Sequence, residues 1–406
     1  MRGSKDRIST SHVGSLPRPD DLIKANYARE QGTGSNEQAF QALLQSSVSD
    51  IVKRQRQAGI SIPNDGEFGK SMGQAVNYRA WLSYIFHRFD GFQVPATGTP
   101  EPPPRKARAD ELVPVDLMER RDRAKFMRAY TDPDNPISTG PRRPPRPVCV
   151  GPVKYKGHAA IKADIAHFKA AMAANGVEEG FMSSIGPGSA SRVGNSYYKS
   201  DEEFMFACAD ALHEEYKAIV DAGIVLQIDD PSIADNWDAI VPEPSVEQYS
   251  KFTMVRVEAL NQALKGLPHD RVRFHLCWGS WHGPHVTDIP LRDIIGPALH
   301  IKAQALSFEA ANVRHEHEWS VWRDIKLPDD RLIIPGIVSH ATNVVEHPDL
   351  VAERIGRFAD VVGKERVIAS TDCGLGGRIH ADIAWAKLEA LAQGAEIASK
   401  RLWGKR

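Results

Sequence analysis

What most constrains this chain is a repeated pairing of a short apolar run that ends in a polar residue with a helix-length segment behind it. Ile224-Val225-Leu226-Gln227-Ile228-Asp229 is the clearest case, apolar almost to its end, as a strand covered on both faces should be. Comparable runs occur at residues 8–15, 60–63, 180–185, 271–278, 305–309, 332–338 and 367–370. Between them lie helical periodicities at 36–57, 158–174, 201–222, 349–362 and 381–402, and a further helix start at Ser245-Val246-Glu247-Gln248. Ser200-Asp201-Glu202-Glu203 has the form of a capping box. Eight strands alternating with helices or helix-length segments predict an α/β fold, a (β/α)8 TIM barrel.

One stretch breaks the rhythm. Residues 94–150 are rich in proline, which lacks an amide donor and suits extended connectors, and they hold one charged helical piece at 116–130. The expectation is a single barrel domain over 1–406 with a Pro-rich insertion at 94–150, after the second strand. The insertion's arginines (Arg105, Arg108, Arg120, Arg121, Arg123, Arg128, Arg142, Arg143, Arg146) are read as a solvated face, with an anion clamp as the alternative. Val148 to Val153 is read as a small hairpin.

With 406 residues, 42% of them apolar, the chain can bury a large core, and a formal net charge of −1 gives no global case for nucleic acid or an anionic membrane. No run approaches the ~18 apolar residues of a membrane span, and the start lacks a signal-peptide core, so a cytoplasmic location is expected. Four cysteines in so long a chain do not make a disulfide framework and point to metal or catalysis instead.

The polar strand ends carry the chemistry. His275 and Cys277, two apart on a strand, face the same side while Leu276 packs the other way. Glu309 and Cys373 end later runs, and a barrel gathers its strand ends at one mouth. One imidazole, two thiolates and a carboxylate form a borderline-soft set that selects Zn2+ over magnesium or calcium. A zinc so coordinated suits alkyl transfer to a thiol, which ordinarily holds its proton up to a pKa of about 8.5. Glu67 and Asp229, at two other strand ends, are candidates for binding a substrate ammonium.

Thr10-Ser11-His12-Val13-Gly14-Ser15-Leu16-Pro17-Arg18-Pro19, Asp65-Gly66-Glu67-Phe68, Gln227-Ile228-Asp229-Asp230-Pro231, His275-Leu276-Cys277, Phe308-Glu309-Ala310 and Asp372-Cys373-Gly374-Leu375 together resemble the catalytic zinc barrel of cobalamin-independent methionine synthase, particularly its short single-barrel bacterial relatives. The resemblance implies a zinc-dependent S-methyltransferase of methionine biosynthesis, with zinc on His275, Cys277, Glu309 and Cys373 and homocysteine held by Gly14, Ser15, Glu67 and Asp229. It implies a small-molecule thiol acceptor and a methyl donor (folate, corrinoid or other) as partners, with neither nucleic acid nor membrane. Three departures stand beside it. There is no second barrel, no aromatic follows Gly186-Pro187 where the family stacks folate, and His340, the candidate catalytic histidine, lies one position short of the family's spacing. The same zinc site serves coenzyme M in relatives that open epoxides, so another thiol or donor is the alternative. A phosphosubstrate lyase using Gly374-Leu375-Gly376-Gly377-Arg378 is a further one.

Overall fold

The computed structural model describes residues 1–30, 33, 36–70, 84, 87–93, 111–115, 119–135, 137–138 and 147–404. Its strands in chain order are β1 (Ser9–Thr10), β2 (Phe89–Gln93), β3 (Val148–Tyr155), β4 (Phe181–Ile185), β5 (Gly194–Asn195), β6 (Val225–Asp229), β7 (Val272–Leu276), β8 (Ala305–Glu309), β9 (Leu332–Val338) and β10 (Ile368–Thr371). Seven of them form one parallel, curled sheet in the order β1-β10-β9-β8-β7-β6-β4. This is the TIM-barrel-like arrangement that the alternating pattern predicts.

The eighth expected strand is not a regular strand, but its residues lie in the eighth position. The Ser61 and Ile62 amides donate to the Thr10 carbonyl, and Phe181 N donates to Pro63 O at 3.0 Å. Asn64 also bridges Phe181 in parallel. Residues 60–64 therefore span the gap between β1 and β4, and Pro63, with no N–H, prevents a continuous ladder.

Strand register decides which side chains enter the barrel. Gln227 pairs with Arg273, Asp229 with His275, His275 with Ser307, and Glu309 with Gly336. Within any one strand the inward positions share one parity, so each strand sends every second residue inside. At the floor an apolar layer is made by Ile62, Phe181, Val225, Ala305, Leu332, Ile334 and Ile368. The alternate residues, among them Phe274, Leu276, Phe308, Ile333 and Ile337, pack outward into a larger core. Above the floor lies a polar layer. Arg273 donates to Gln227 Oε1 at 2.7 Å, Ser11 Oγ at 2.9 Å and His12 O at 2.6 Å, with its guanidinium over the Phe181 ring. Every donor group of this buried arginine is engaged, which is what makes its burial tolerable.

The helices hold the expected faces. Glu37–Gln57 starts on an Asn36 cap, and His158–Ala174, Asp201–Asp221, Val246–Ala263, Pro348–Val362 and Ala381–Trp403 follow. The reciprocal capping box is at Ser245 and Gln248. At Ser200 the hydroxyl does cap Glu203 N, but the Glu203 carboxylate takes the Lys199 amide instead. Among the described residues no helix is long and apolar enough to cross a membrane.

Two local expectations are corrected. Val148–Tyr155 is a single strand, not a hairpin; it pairs antiparallel with β2 and parallel with β5. Because Gln93 pairs with Val148, the Pro-rich stretch leaves and rejoins this small sheet at one point. Nor are the described arginines uniformly solvated. Two short helices, Arg121–Lys125 and Met127–Thr131, replace the single piece, residues 116–118 lying outside the described residues. Arg120 and Arg123 are buried, Arg120 forking onto Asp235, while Arg121 reaches Trp237 O at 2.6 Å and Glu243; only Arg128 is exposed. Docking against the loop after β6 explains this: an arginine stem covers apolar surface while its head meets a carboxylate. Arg105, Arg108, Arg142, Arg143 and Arg146 lie outside the described residues.

Candidate metal centre and its acidic neighbour

Three side chains converge at the barrel mouth. The ligand atoms of His275, Cys277 and Cys373 all lie within 4.8 Å of one another and are buried. His275 comes from β7, Cys277 follows that strand, and Cys373 comes from the turn after β10. The His275 Nδ1 meets Ser307 Oγ at 3.2 Å, while its Nε2 is buried without a hydrogen-bond partner. Nitrogen on one side anchored, the other bare: this is how a metal-ligating imidazole is oriented. Glu309 stands beside the trio, its Oε1 3.8 Å from Cys277 Sγ and accepting from Trp278 N at 3.2 Å, its Oε2 accepting from Asn312 Nδ2 at 3.0 Å.

Electrostatics reinforce the trio. The hydrogen bond between the two sulfurs, with burial adding to it, pushes the Cys277 thiol well up, and the same bond pulls Cys373 well down against burial. Of the two thiols, Cys373 is therefore the one that gives up its proton more readily. Burial opposes an imidazolium at His275, yet Cys373, Asp229 and Glu309 around it raise its pKa.

A second group adjoins the first. Glu309, His340 and Asp372 also bring ligand atoms within 4.8 Å of one another. Both His340 nitrogens and Asp372 Oδ2 are buried without partners. Asp372 Oδ1 accepts from Ala310 N at 2.7 Å and Ala311 N at 2.9 Å, which ties the β10 turn to the end of β8. Burial holds His340 down to about 3, so its ring is neutral.

The four residues expected to hold an amino-acid thiol lie on the adjoining wall. Gly14 has φ +127, and a Cβ there would run into Glu67 Oε1. Glu67 itself has φ 61, unusual for a residue with a side chain, and its amide donates to Asp65 Oδ1 at 3.0 Å. Ser183 Oγ donates to Glu67 Oε1, and Lys70 Nζ lies 3.6 Å from the same oxygen. Asp229 accepts from Gln227 Nε2 at 2.7 Å; burial, with Glu67 nearby, raises it to about 7 despite His275 and Lys70. Ser15 is placed differently: its carbonyl accepts the Leu375 and Gly376 amides, both at 2.9 Å. The glycines after Cys373 are thereby explained by close approach, since a Cβ at Gly376 would meet Leu16 O and Ser15 Oγ. The Leu375 and Gly376 amides are thus engaged rather than open to a phosphate.

Sequence reasoning assigns no role to Lys70 or Ser183, nor to Asp288, His315 and Glu318, which form a relay with His285 behind Glu309. His285 Nδ1 meets Asp288 Oδ2 at 2.9 Å, the same oxygen meets His315 Nε2 at 3.0 Å, and His315 Nδ1 meets Glu318 Oε2 at 2.8 Å. Burial disfavours both imidazoliums, but Asp288, joined at His315 by Glu318, outweighs it and raises His285 to about 9 and His315 to about 10. Its traces in the sequence are the His285-x-x-Asp288 and His315-x-x-Glu318 spacings. Trp281 stacks on His285 and donates to Tyr130 OH at 3.2 Å, so the docked part of the insertion reaches this rim.

Comparison with known proteins fits this geometry. The family described as "Cobalamin-independent synthase, Catalytic domain" matches residues 138–397, well over half the chain. The chain belongs to this enzyme family. Relatives match nearly end to end at low identity. A 2-hydroxypropyl-CoM lyase of Xanthobacter autotrophicus is 24% identical, covering 99% of this chain and 98% of that protein. A methionine synthase of Thermococcus kodakarensis is 25% identical, covering 97% and 94%. Among solved structures, a B12-independent methionine synthase from Shewanella sp. W3-18-1 shares the fold with a TM-score of 0.69 at 18% identity, covering 98% of this chain and 99% of that one.

Proposed function

We propose that this protein is a zinc-dependent S-methyltransferase that alkylates a thiol at the mouth of the barrel. The observation that supports it most is the convergence of His275, Cys277 and Cys373 within 4.8 Å, with a buried, unpartnered Nε2. The donor set fits the ion: one nitrogen and two sulfurs, with the Glu309 carboxylate at hand for the fourth position. Zinc bound there would acidify a substrate thiol and keep its sulfur a nucleophile at neutral pH.

The chain's own groups do the rest. Ser307 holds the His275 ring through Nδ1 and leaves the buried Nε2 for the ion. Trp278 N and Asn312 grip Glu309 from two sides and set how far its carboxylate can move. His340, neutral and unpartnered, has one ring N–H to offer to the donor's leaving atom as the methyl carbon passes to sulfur. The walls exclude water, since the ligand residues are all under 10% exposed.

Homocysteine is the acceptor that the methionine synthase relatives suggest, and a coenzyme M-type thiol is the one suggested by the lyase relative. The test is to incubate zinc-loaded protein with each thiol and, in turn, methyltetrahydrofolate, a methylated corrinoid and a methyl thioether, and to weigh the thiol product. S-methylated product from one pairing supports the reading. A protein that retains stoichiometric zinc after Cys277→Ser sinks it.

A further inference from the structure

We propose that Lys70 fills the subsite where the ammonium of an amino-acid thiol would bind, and that the acceptor is therefore a thiol without an amino group, such as a short mercapto acid or sulfonate. The inference rests on the thiol-acceptor reading above and narrows it. Lys70 follows Glu67 by three residues, and the turn between them, closed by Lys70 N donating to Glu67 O at 3.0 Å, folds the side chain back over its own carboxylate. The ammonium is enclosed: Nζ donates to Ser183 O at 2.9 Å and Ser183 Oγ at 3.0 Å, lies 3.6 Å from Glu67 Oε1 and sits 5.5 Å from the Tyr84 ring centroid. A carbonyl, a hydroxyl, a carboxylate and an aromatic face are what a protein offers a bound ammonium.

Lys70 is not a surface lysine resting there by chance. Its side chain is 11% exposed, and Arg18 pins the turn from below by donating to the Glu67 and Lys70 carbonyls. Glu67 already accepts from Ser183 Oγ and faces Lys70, so a substrate ammonium arriving here would meet a like charge and a carboxylate that already has its cation. A thiol that lacks the ammonium meets neither obstacle.

Direct binding tests this without knowledge of the methyl donor. Zinc-loaded full-length protein is titrated calorimetrically, with proton release followed in parallel, using homocysteine, 4-mercaptobutyrate (the same skeleton without its amino group) and 2-mercaptoethanesulfonate. The expected result is that 4-mercaptobutyrate binds at least tenfold more tightly than homocysteine, and that Lys70→Met brings the ratio close to one. Homocysteine binding as tightly as 4-mercaptobutyrate, or more tightly, overturns the inference and leaves the thiol reading standing. A tenfold preference that Lys70→Met does not change overturns the role of Lys70. Absence of heat and proton release with all three thiols sinks both readings. The wild-type ratio needs no variant, so poor folding of Lys70→Met does not protect the proposal.

Discussion

Two walls of the same barrel mouth are built on opposite principles. On the β7 to β10 side, buried polar atoms lack partners: His275 Nε2, both nitrogens of His340 and Asp372 Oδ2. On the β1, β4 and β6 side, Glu67 and Asp229 have theirs, from Ser183, Lys70 and Gln227. A buried polar group without a partner costs on the order of 1–3 kcal/mol, so a cluster of them persists only where something else supplies the missing bonds. On the function proposed above, the first wall awaits a ligand from outside, while Glu67 and Asp229 on the second already have partners from within.

The sharpest way to break this contrast is to remove a sulfur. Cys277→Ser is expected to take bound zinc from about one per chain to near zero and to abolish methyl transfer, read by metal analysis beside the product assay. Lowering the pH should weaken zinc in the wild type, because protons compete for the same sulfurs. Ser307→Ala leaves the ligands in place but frees the imidazole; a loss of about 10–100-fold in zinc affinity is expected by competition with a chromophoric chelator. An unchanged affinity would show that His275 does not depend on Nδ1 for its orientation.

The filled wall is probed by Gly14→Ala. The positive φ and the collision with Glu67 should lower stability by about 1–3 kcal/mol in denaturant unfolding, with zinc content unchanged. Zinc loss in this variant would mean the two walls are not separable.

The smallest effect is expected from the relay behind Glu309. Its imidazoliums titrate at about 9 and about 10 in the folded protein against an ordinary 6.5. Their contribution is therefore complete below pH ~6.5 and fades as pH rises through 9 and 10. Asp288→Asn should remove on the order of 1–2 kcal/mol at pH 7 and flatten the decline in melting midpoint above it. A wild-type midpoint that does not fall between pH 7 and 10 would count against the relay.

Much of this architecture was legible in the sequence because a strand imposes a period of two. His275 and Cys277 share a face for that reason alone, and the runs ending in Asp229 and Glu309 are apolar because both faces of a barrel strand are covered. Residues 60–63 have a strand's pattern and occupy the strand's position, but Pro63 withholds a donor and the ladder does not form. Arg120 and Arg123 look solvated in the sequence because a charge run carries no record of what it docks against. Lys70 escaped notice since a lysine three residues after a glutamate looks like any local surface pair.

The order and spacing of apolar runs, and the soft donor types at their ends, were thus set by the sequence, since backbone geometry converts them directly into strands, helices and faces. Which donors meet, and which are already satisfied, was decided by the curled sheet. Convergence of Cys277 with Cys373, and occupation of the Glu67 subsite by Lys70, depend on distances across the barrel that no local periodicity encodes.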